Sequence, residues 1–260
     1  MYELKKYRYS INQLIGAVGN IELSQLGMHE IAVFRSVRTH TVSENTYRAD
    51  ICAVRSMLRF AALKGYRCIP RELVVMPKKI RTKPVWITPE QVEKMIQEAS
   101  NIRDAFLVSL LYSSGLRISE ALSLNRGEVV SDGFTVCGKG GRDRLVFTDA
   151  RTIALMKRYM ATREDQNPAL FLSRRHIRMS RRAAENAVRA ICVAAGIDKH
   201  VTPHSLRHSF ATDLMRNGAD IRYVSEMLGH TNLATTAVYT HVIDEDLLKQ
   251  YRLHHSTAGA

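Results

Sequence analysis

The chain contains no run of about 18 apolar residues, the length a membrane-spanning helix needs, and its first ten residues, MYELKKYRYS, mix charge with polar groups around no apolar centre. Neither a spanning helix nor an export signal is expected, which places the protein in the cytoplasm, associated with the nucleoid if its partner is DNA. Cysteine is scarce: Cys52, Cys68, Cys137 and Cys192 are far apart, and no CxxC pair occurs. That spacing argues against a zinc ribbon, and without an export signal the four are expected to be reduced, buried thiols. Acidic residues are outnumbered, 25 against 38 Lys and Arg, for a formal net charge of +13. Such a surplus favours a polyanion, nucleic acid before an anionic membrane surface or an acidic protein, although a merely solvated basic surface carries the same charge. Internal repeats and low-complexity segments are also missing.

What is present suits a folded protein. The 260 residues are 45% apolar and 24% charged, near the globular average, and long enough for one large domain or two modest ones. Apolar periodicity stops at Pro77-Lys78-Lys79-Ile80-Arg81-Thr82-Lys83-Pro84, where four basic residues lie between two prolines. This predicts a linker over 77–85, between an N-terminal domain 1–76 and a C-terminal domain 86–260. A solvated hinge and a strap across a phosphate backbone both fit its charge.

Before the linker, helical spacing runs from Leu4 to Gly19, Ser24 to Thr39 and Ser43 to Lys64, with Ser43 as N-cap and Gly65 as terminator of the last. After it, Thr88-Pro89-Glu90-Gln91 opens a helix to about Ser100, and a second runs from Asp104 through Leu111. Gly133–Cys137 and Arg144–Phe147 predict two strands joined by the turn Gly138-Lys139-Gly140-Gly141. Helices follow at 149–163, 180–195, 203–217, 220–228 and 232–241. The fold class is thus mainly α with one small β-hairpin: a helical domain followed by a mixed α/β domain.

Several stretches could carry chemistry. His204 and Arg207 share a face at the start of a helix, where backbone N–H groups and the dipole favour an anion such as phosphate, though surface residues reach this spacing by chance. His204 and His208 have the spacing of a zinc helix, but Ser205 stands where HExxH needs glutamate. Arg117 and Glu120 are placed to pair on one helix face. Gly133 to Lys139 imitates a P-loop, but Gly140 occupies the position of the magnesium-binding Ser or Thr, which excludes that NTPase site. Lys139 is then the tip of a hairpin.

The order SGLRISEAL, GKGGRDR, HSLRH, MLGH, AVYTHV resembles the tyrosine site-specific recombinases, or phage-type integrases, and SENTYRADICAVRSMLRFAALKGY resembles the last long helix of their core-binding domain. The resemblance implies that 1–76 is a core-binding domain and 86–260 the catalytic domain with its tail, the two forming a C-shaped clamp on DNA. It implies that Tyr239 is the nucleophile, giving a 3′-phosphotyrosyl link and a free 5′-hydroxyl without metal, ATP or other cofactor. Arg117 and Arg207 match the phosphate-clamping arginines, His204 the proton acceptor, Lys139 the general acid, His230 the second histidine and Glu120 the supporting acid. Lys78, Lys79, Arg81, Lys83 and Arg142 are further DNA-binding candidates. The implied partners are double-stranded DNA with inverted core half-sites and three further protomers, of this chain or of a related recombinase, with accessory proteins and no membrane. The stretch Asp244 to Tyr251 is expected to form a helix docking on its own protomer or a neighbour. No arm-binding module is expected before the first helix, so the compact Xer-like or mobile-element type is implied. A type IB topoisomerase-like relaxing enzyme, or a non-catalytic DNA-binding protein of the same fold, is the alternative.

Overall fold

The computed structural model describes residues 2–80, 84–129, 133–137 and 143–229. They form two compact units, Met1–Lys83 and Pro84–Ala260.

In the first unit, α1 (Tyr2–Val18), α2 (Met28–Thr41) and α3 (Glu44–Leu63) enclose Leu14, Ile31, Phe34, Tyr47, Ile51, Val54 and Leu58. The Ser43 side chain accepts the Thr46 N–H at 3.3 Å, and Gly65 takes φ +79° just past the helix end, so both predicted boundaries of α3 hold. The second helix starts later than its periodicity predicts. Leu23–Gln25 is a single 3-10 turn, and Gly27 is extended, with its N–H donated to the Glu30 carboxylate at 2.9 Å. Beneath these helices Asp50 accepts from Ser10 Oγ at 2.7 Å and Arg38 Nε at 2.9 Å, pairing a buried charge that would otherwise be costly. Lys78 and Lys79 are exposed, and the carbonyls of Pro77 and Ile80 accept from Arg48 and Asn45 of α3. Arg81 and Lys83 lie outside the described residues.

The second unit is built around α5 (Ile102–Ser114), which is apolar on all sides and packs against α4 (Pro89–Gln97), α7 (Ala150–Ala161), α8 (Arg181–Ala194) and α9 (Pro203–Arg216). It is longer at both ends than the predicted 104–111. Asn101 caps it by accepting the Asp104 N–H at 3.0 Å. At its far end Ser113 bonds the Thr148 hydroxyl at 2.7 Å, and Ser114 bonds back to the Leu110 carbonyl at 2.5 Å. Small polar residues that suggest a break are therefore satisfied, Ser113 by a neighbouring segment and Ser114 within the helix. α4 stops at Gln97 rather than near Ser100.

Gly115, at φ +60°, ends α5, and the short α6 (Ile118–Ser123) follows. Strands β1 (Gly133–Cys137) and β2 (Asp143–Phe147) pair antiparallel, with Val136 opposite Arg144. Their turn, including Lys139 and Arg142, lies outside the described residues. Helix α9 begins as its Thr-Pro signal predicts, Thr202 accepting the Ser205 N–H at 3.1 Å. The segment leading into α4 is fastened to α9: the Ile87 N–H donates to Ser209 Oγ at 2.9 Å, and the Trp86 ring lies 4.2 Å from the Arg216 guanidinium. The last described helix is α10 (Ile221–Leu228). The predicted helices at 232–241 and 244–251 lie outside the described residues.

The cysteine expectation needs correction. None of the four cysteines is in a disulfide, but only Cys192 is buried; Cys52 and Cys137 are exposed and Cys68 is half-buried. Cys52 falls on the outer side of α3, and Cys137 on the outward-facing side of β1, where alternation exposes every second residue.

Candidate active site

Three guanidinium groups from three separate parts of the second unit converge on the carboxyl end of α10. Arg207, 3% exposed on α9, donates from Nη2 to the Leu228 carbonyl and from Nη1 to the Gly115 carbonyl, each at 2.6 Å. Arg117, the N-cap residue just before α6, donates from Nη2 to the Gly229 carbonyl at 3.2 Å. Arg144 of β2 donates from Nε to the Met227 carbonyl at 3.0 Å. A helix ends with carbonyls that lack intrahelical partners and with the negative pole of its dipole, so cations are the natural cap.

Glu120 organises two of these cations. Its Oε1 accepts from Arg117 Nη1 at 2.8 Å and from Arg144 Nη1 at 3.0 Å, while its Oε2 accepts the Arg117 backbone N–H at 2.8 Å and Arg144 Nη2 at 2.7 Å. Burial alone would push the Glu120 carboxyl up, but the hydrogen bonds from Arg144 and Arg117 outweigh it and hold the group at about 2. It is thus a carboxylate at any working pH.

Glycine at two positions makes these approaches feasible. A Cβ on Gly115 would stand 2.4 Å from the Phe210 ring, and one on Gly229, at φ +61°, would stand 3.0 Å from Arg144 Cδ. Gly115→Ala combines a left-handed backbone with that clash, and it is expected to destabilise the second unit by roughly 2–4 kcal/mol. The check is the urea midpoint at unchanged slope; a variant as stable as wild type would mean that the Phe210 ring can swing aside.

His204 is exposed in the first turn of α9, one turn before Arg207. Partial burial of its ring and then the Arg207 charge lower its pKa, so the imidazole is a neutral acceptor at pH 7. His208, 3% exposed one turn further on, is held down at about 4, by burial first and by His204 second. Because its unfolded pKa is about 6.5, the unfolded chain binds the extra proton between pH 6.5 and 4, and stability falls as the pH falls through that window, by up to roughly 3 kcal/mol. Urea titrations at pH 7 and pH 4.5 should show this loss, and His208→Gln should flatten it.

The structure thus brings Arg117, Glu120 and Arg207 into one cluster and places His204 on the helix that carries Arg207. Lys139, His230 and Tyr239 lie outside the described residues; in sequence, His230 directly follows Gly229. Arg144 was not among the sequence candidates. The signal was available: β2 alternation puts Arg144 on the side of buried Val146, opposite buried Val136, and a charged residue at an inward strand position requires a buried partner. A second overlooked feature is the exposed basic turn and helix start formed by Arg174, Arg175, His176, Arg181 and Arg182. Among the described residues, no three His, Cys, Asp or Glu side chains group as metal ligands, and no helix is long and apolar enough to cross a membrane.

A family model described as the phage integrase family matches residues 85–246. Tyrosine recombinase XerD of Oceanobacillus iheyensis is 36% identical over 230 residues, covering 83% of this chain and 77% of the relative. Among solved structures, the XerH site-specific recombinase bound to palindromic difH substrate in a post-cleavage complex aligns at a TM-score of 0.78 with 22% identity, over 97% of this chain and 80% of that one. A lambda integrase tetramer bound to a Holliday junction aligns at 0.76 with 16% identity, over 89% and 72%. At these identities the two structures establish the shared fold.

Proposed function

The chain belongs to the phage integrase family of tyrosine recombinases, and from that premise we propose that it is a site-specific recombinase that cuts and rejoins DNA through a 3′-phosphotyrosyl intermediate. The observation that carries this reading is the convergence of Arg117 and Arg207, ninety residues apart in sequence, on the carbonyls of consecutive residues Gly229 and Leu228. Two planar cations held side by side suit the two non-bridging oxygens of a phosphodiester.

The Tyr239 oxygen attacks the scissile phosphorus as His204 takes the phenolic proton. The bond from phosphorus to the 5′-oxygen breaks, and Lys139 supplies the proton that this leaving group needs. In the reverse sense a 5′-hydroxyl attacks the phosphotyrosyl ester and releases the tyrosine. Arg117 and Arg207 stabilise the charge that builds on the non-bridging oxygens, His230 donates to the same phosphate, and Glu120 acts only through the arginines it holds. The phosphoester is conserved throughout, so the chemistry balances without metal, ATP or another cofactor.

Strand exchange would take four protomers on two duplexes with inverted half-sites, of this chain or with a related recombinase, and accessory proteins would act outside the chemical step. Residues 1–76 would bind the core site and 86–260 carry the chemistry, joined through 77–85. The exposed Lys78 and Lys79 support a backbone-tracking linker, to which Arg81, Lys83 and Arg142 would add, and the Arg174 to Arg182 cluster offers a second basic surface. Such an enzyme works in the cytoplasm, on the nucleoid or on a mobile element. Relatedness to named recombinases favours strand exchange over the swivelling of a type IB relaxing enzyme.

The test is a selection in EDTA. Nicked duplexes with a randomised core are incubated with the full chain, and SDS-resistant adducts are recovered and sequenced. We expect convergence on one inverted-repeat sequence and binding that weakens by about 10²-fold or more between 50 and 200 mM salt. Salt-sensitive binding with no adduct from any duplex would instead make the chain a DNA-binding module.

A further inference from the structure

We propose that Arg144 is a positioning residue for the phosphate clamp, a role that rests on the recombinase reading above. Its guanidinium makes the bidentate contact with Glu120, at 3.0 and 2.7 Å, and reaches the Met227 carbonyl at 3.0 Å. Glu120 in turn grips Arg117 at its guanidinium and its backbone N–H, and Arg117 reaches the Gly229 carbonyl. These bonds close a ring: Arg117, Glu120, Arg144, then the chain from Met227 to Gly229, and back to Arg117. Every member of the ring is fixed at two or more points, so Arg117 is left no free rotation with which to lose its aim.

Arg144 does this from a distinctive place. It lies on β2, five residues after Lys139, and its side chain is 10% exposed. The same guanidinium therefore ties β2 to the end of α10, and in sequence His230 follows Gly229. All three of its nitrogens are engaged by Glu120 and Met227, and we assign it no contact with the scissile phosphate. Its contribution passes through Arg117. A planar fork is required: a lysine keeps the charge but offers one ammonium on a flexible stem and cannot serve both carboxylate oxygens and a carbonyl in fixed directions.

The test uses Arg144→Lys in the full chain, with the nicked duplex recovered from the selection above. Lysine is chosen because alanine would leave the buried Glu120 carboxylate short of a cation and threaten folding. Single-turnover cleavage at saturating DNA should slow about 30-fold, with duplex affinity changed by less than about threefold. The decisive readout is a second substrate in which the scissile phosphate is a methylphosphonate. With no anionic charge to clamp, it should respond much less to a misaimed Arg117, and the wild-type-to-variant ratio should shrink to under about threefold. A general structural defect would slow both substrates alike, and that result, or a lysine variant as fast as wild type on the phosphodiester, would overturn the proposal. If wild type itself forms no adduct, the recombinase reading falls, an outcome distinct from any behaviour of the variant.

Discussion

Tyr239→Phe should form no SDS-resistant adduct with any duplex, while its affinity for the selected site stays within about threefold of wild type. The substitution removes one oxygen atom, and with it the only atom through which the proposed covalent link can form. No other group can substitute quietly: a phenol with a pKa of about 10 is a poor nucleophile unless a base and an oxyanion clamp are aimed at one phosphate. The chain has ten tyrosines, so loss at this single position also identifies which of them is aimed. Binding should survive because it is spread over many phosphate contacts, of which the phenolic hydroxyl is at most one. An adduct that persists in the Phe variant would move the nucleophile to another residue and break the assignment of His204 and Lys139 along with it.

The parts of the fold that are legible in the sequence are those decided locally. Ser43, Thr88-Pro89 and Thr202-Pro203 start helices because their side chains or rings satisfy or remove orphan N–H groups within one turn, and Gly65 stops one because it alone takes a left-handed backbone cheaply. The pairing of Arg117 with Glu120 is likewise a local i, i+3 matter. What escapes is decided by partners distant in the chain. Ser113, near the end of α5, has its hydroxyl bonded to those of Thr148 and Thr152, 35 and 39 residues away. Cys52 is exposed because its side of α3 faces away from the first unit's core, which spacing alone does not reveal. Arg144 shows its importance only when Glu120, 24 residues earlier, and Met227, 83 later, are seen to share its donors.

Arg207→Lys is expected to lower single-turnover cleavage by about 10³-fold, the largest effect among variants that keep the nucleophile. Arg207 is the most deeply held of the three arginines. Its two terminal nitrogens lock onto the Gly115 and Leu228 carbonyls at 2.6 Å, so the end of α5 and the end of α10 are fixed to one plane. In the proposed clamp a phosphate would meet the guanidinium in that plane, because the group cannot tilt without releasing a carbonyl. A lysine there offers one ammonium on a flexible stem and cannot hold both carbonyls in the guanidinium's fixed directions, and its buried ammonium would tend to lose its proton. Two losses then coincide: the second parallel hydrogen bond to the phosphate disappears, and the carbonyls of Gly115 and Leu228 drift, taking with them the backbone that leads into His230. Duplex affinity should again change by less than about threefold, which separates a lost clamp from lost binding. A cleavage rate within tenfold of wild type would show that a point charge suffices at this position, and the case for a planar two-arginine clamp would then rest on Arg117 alone.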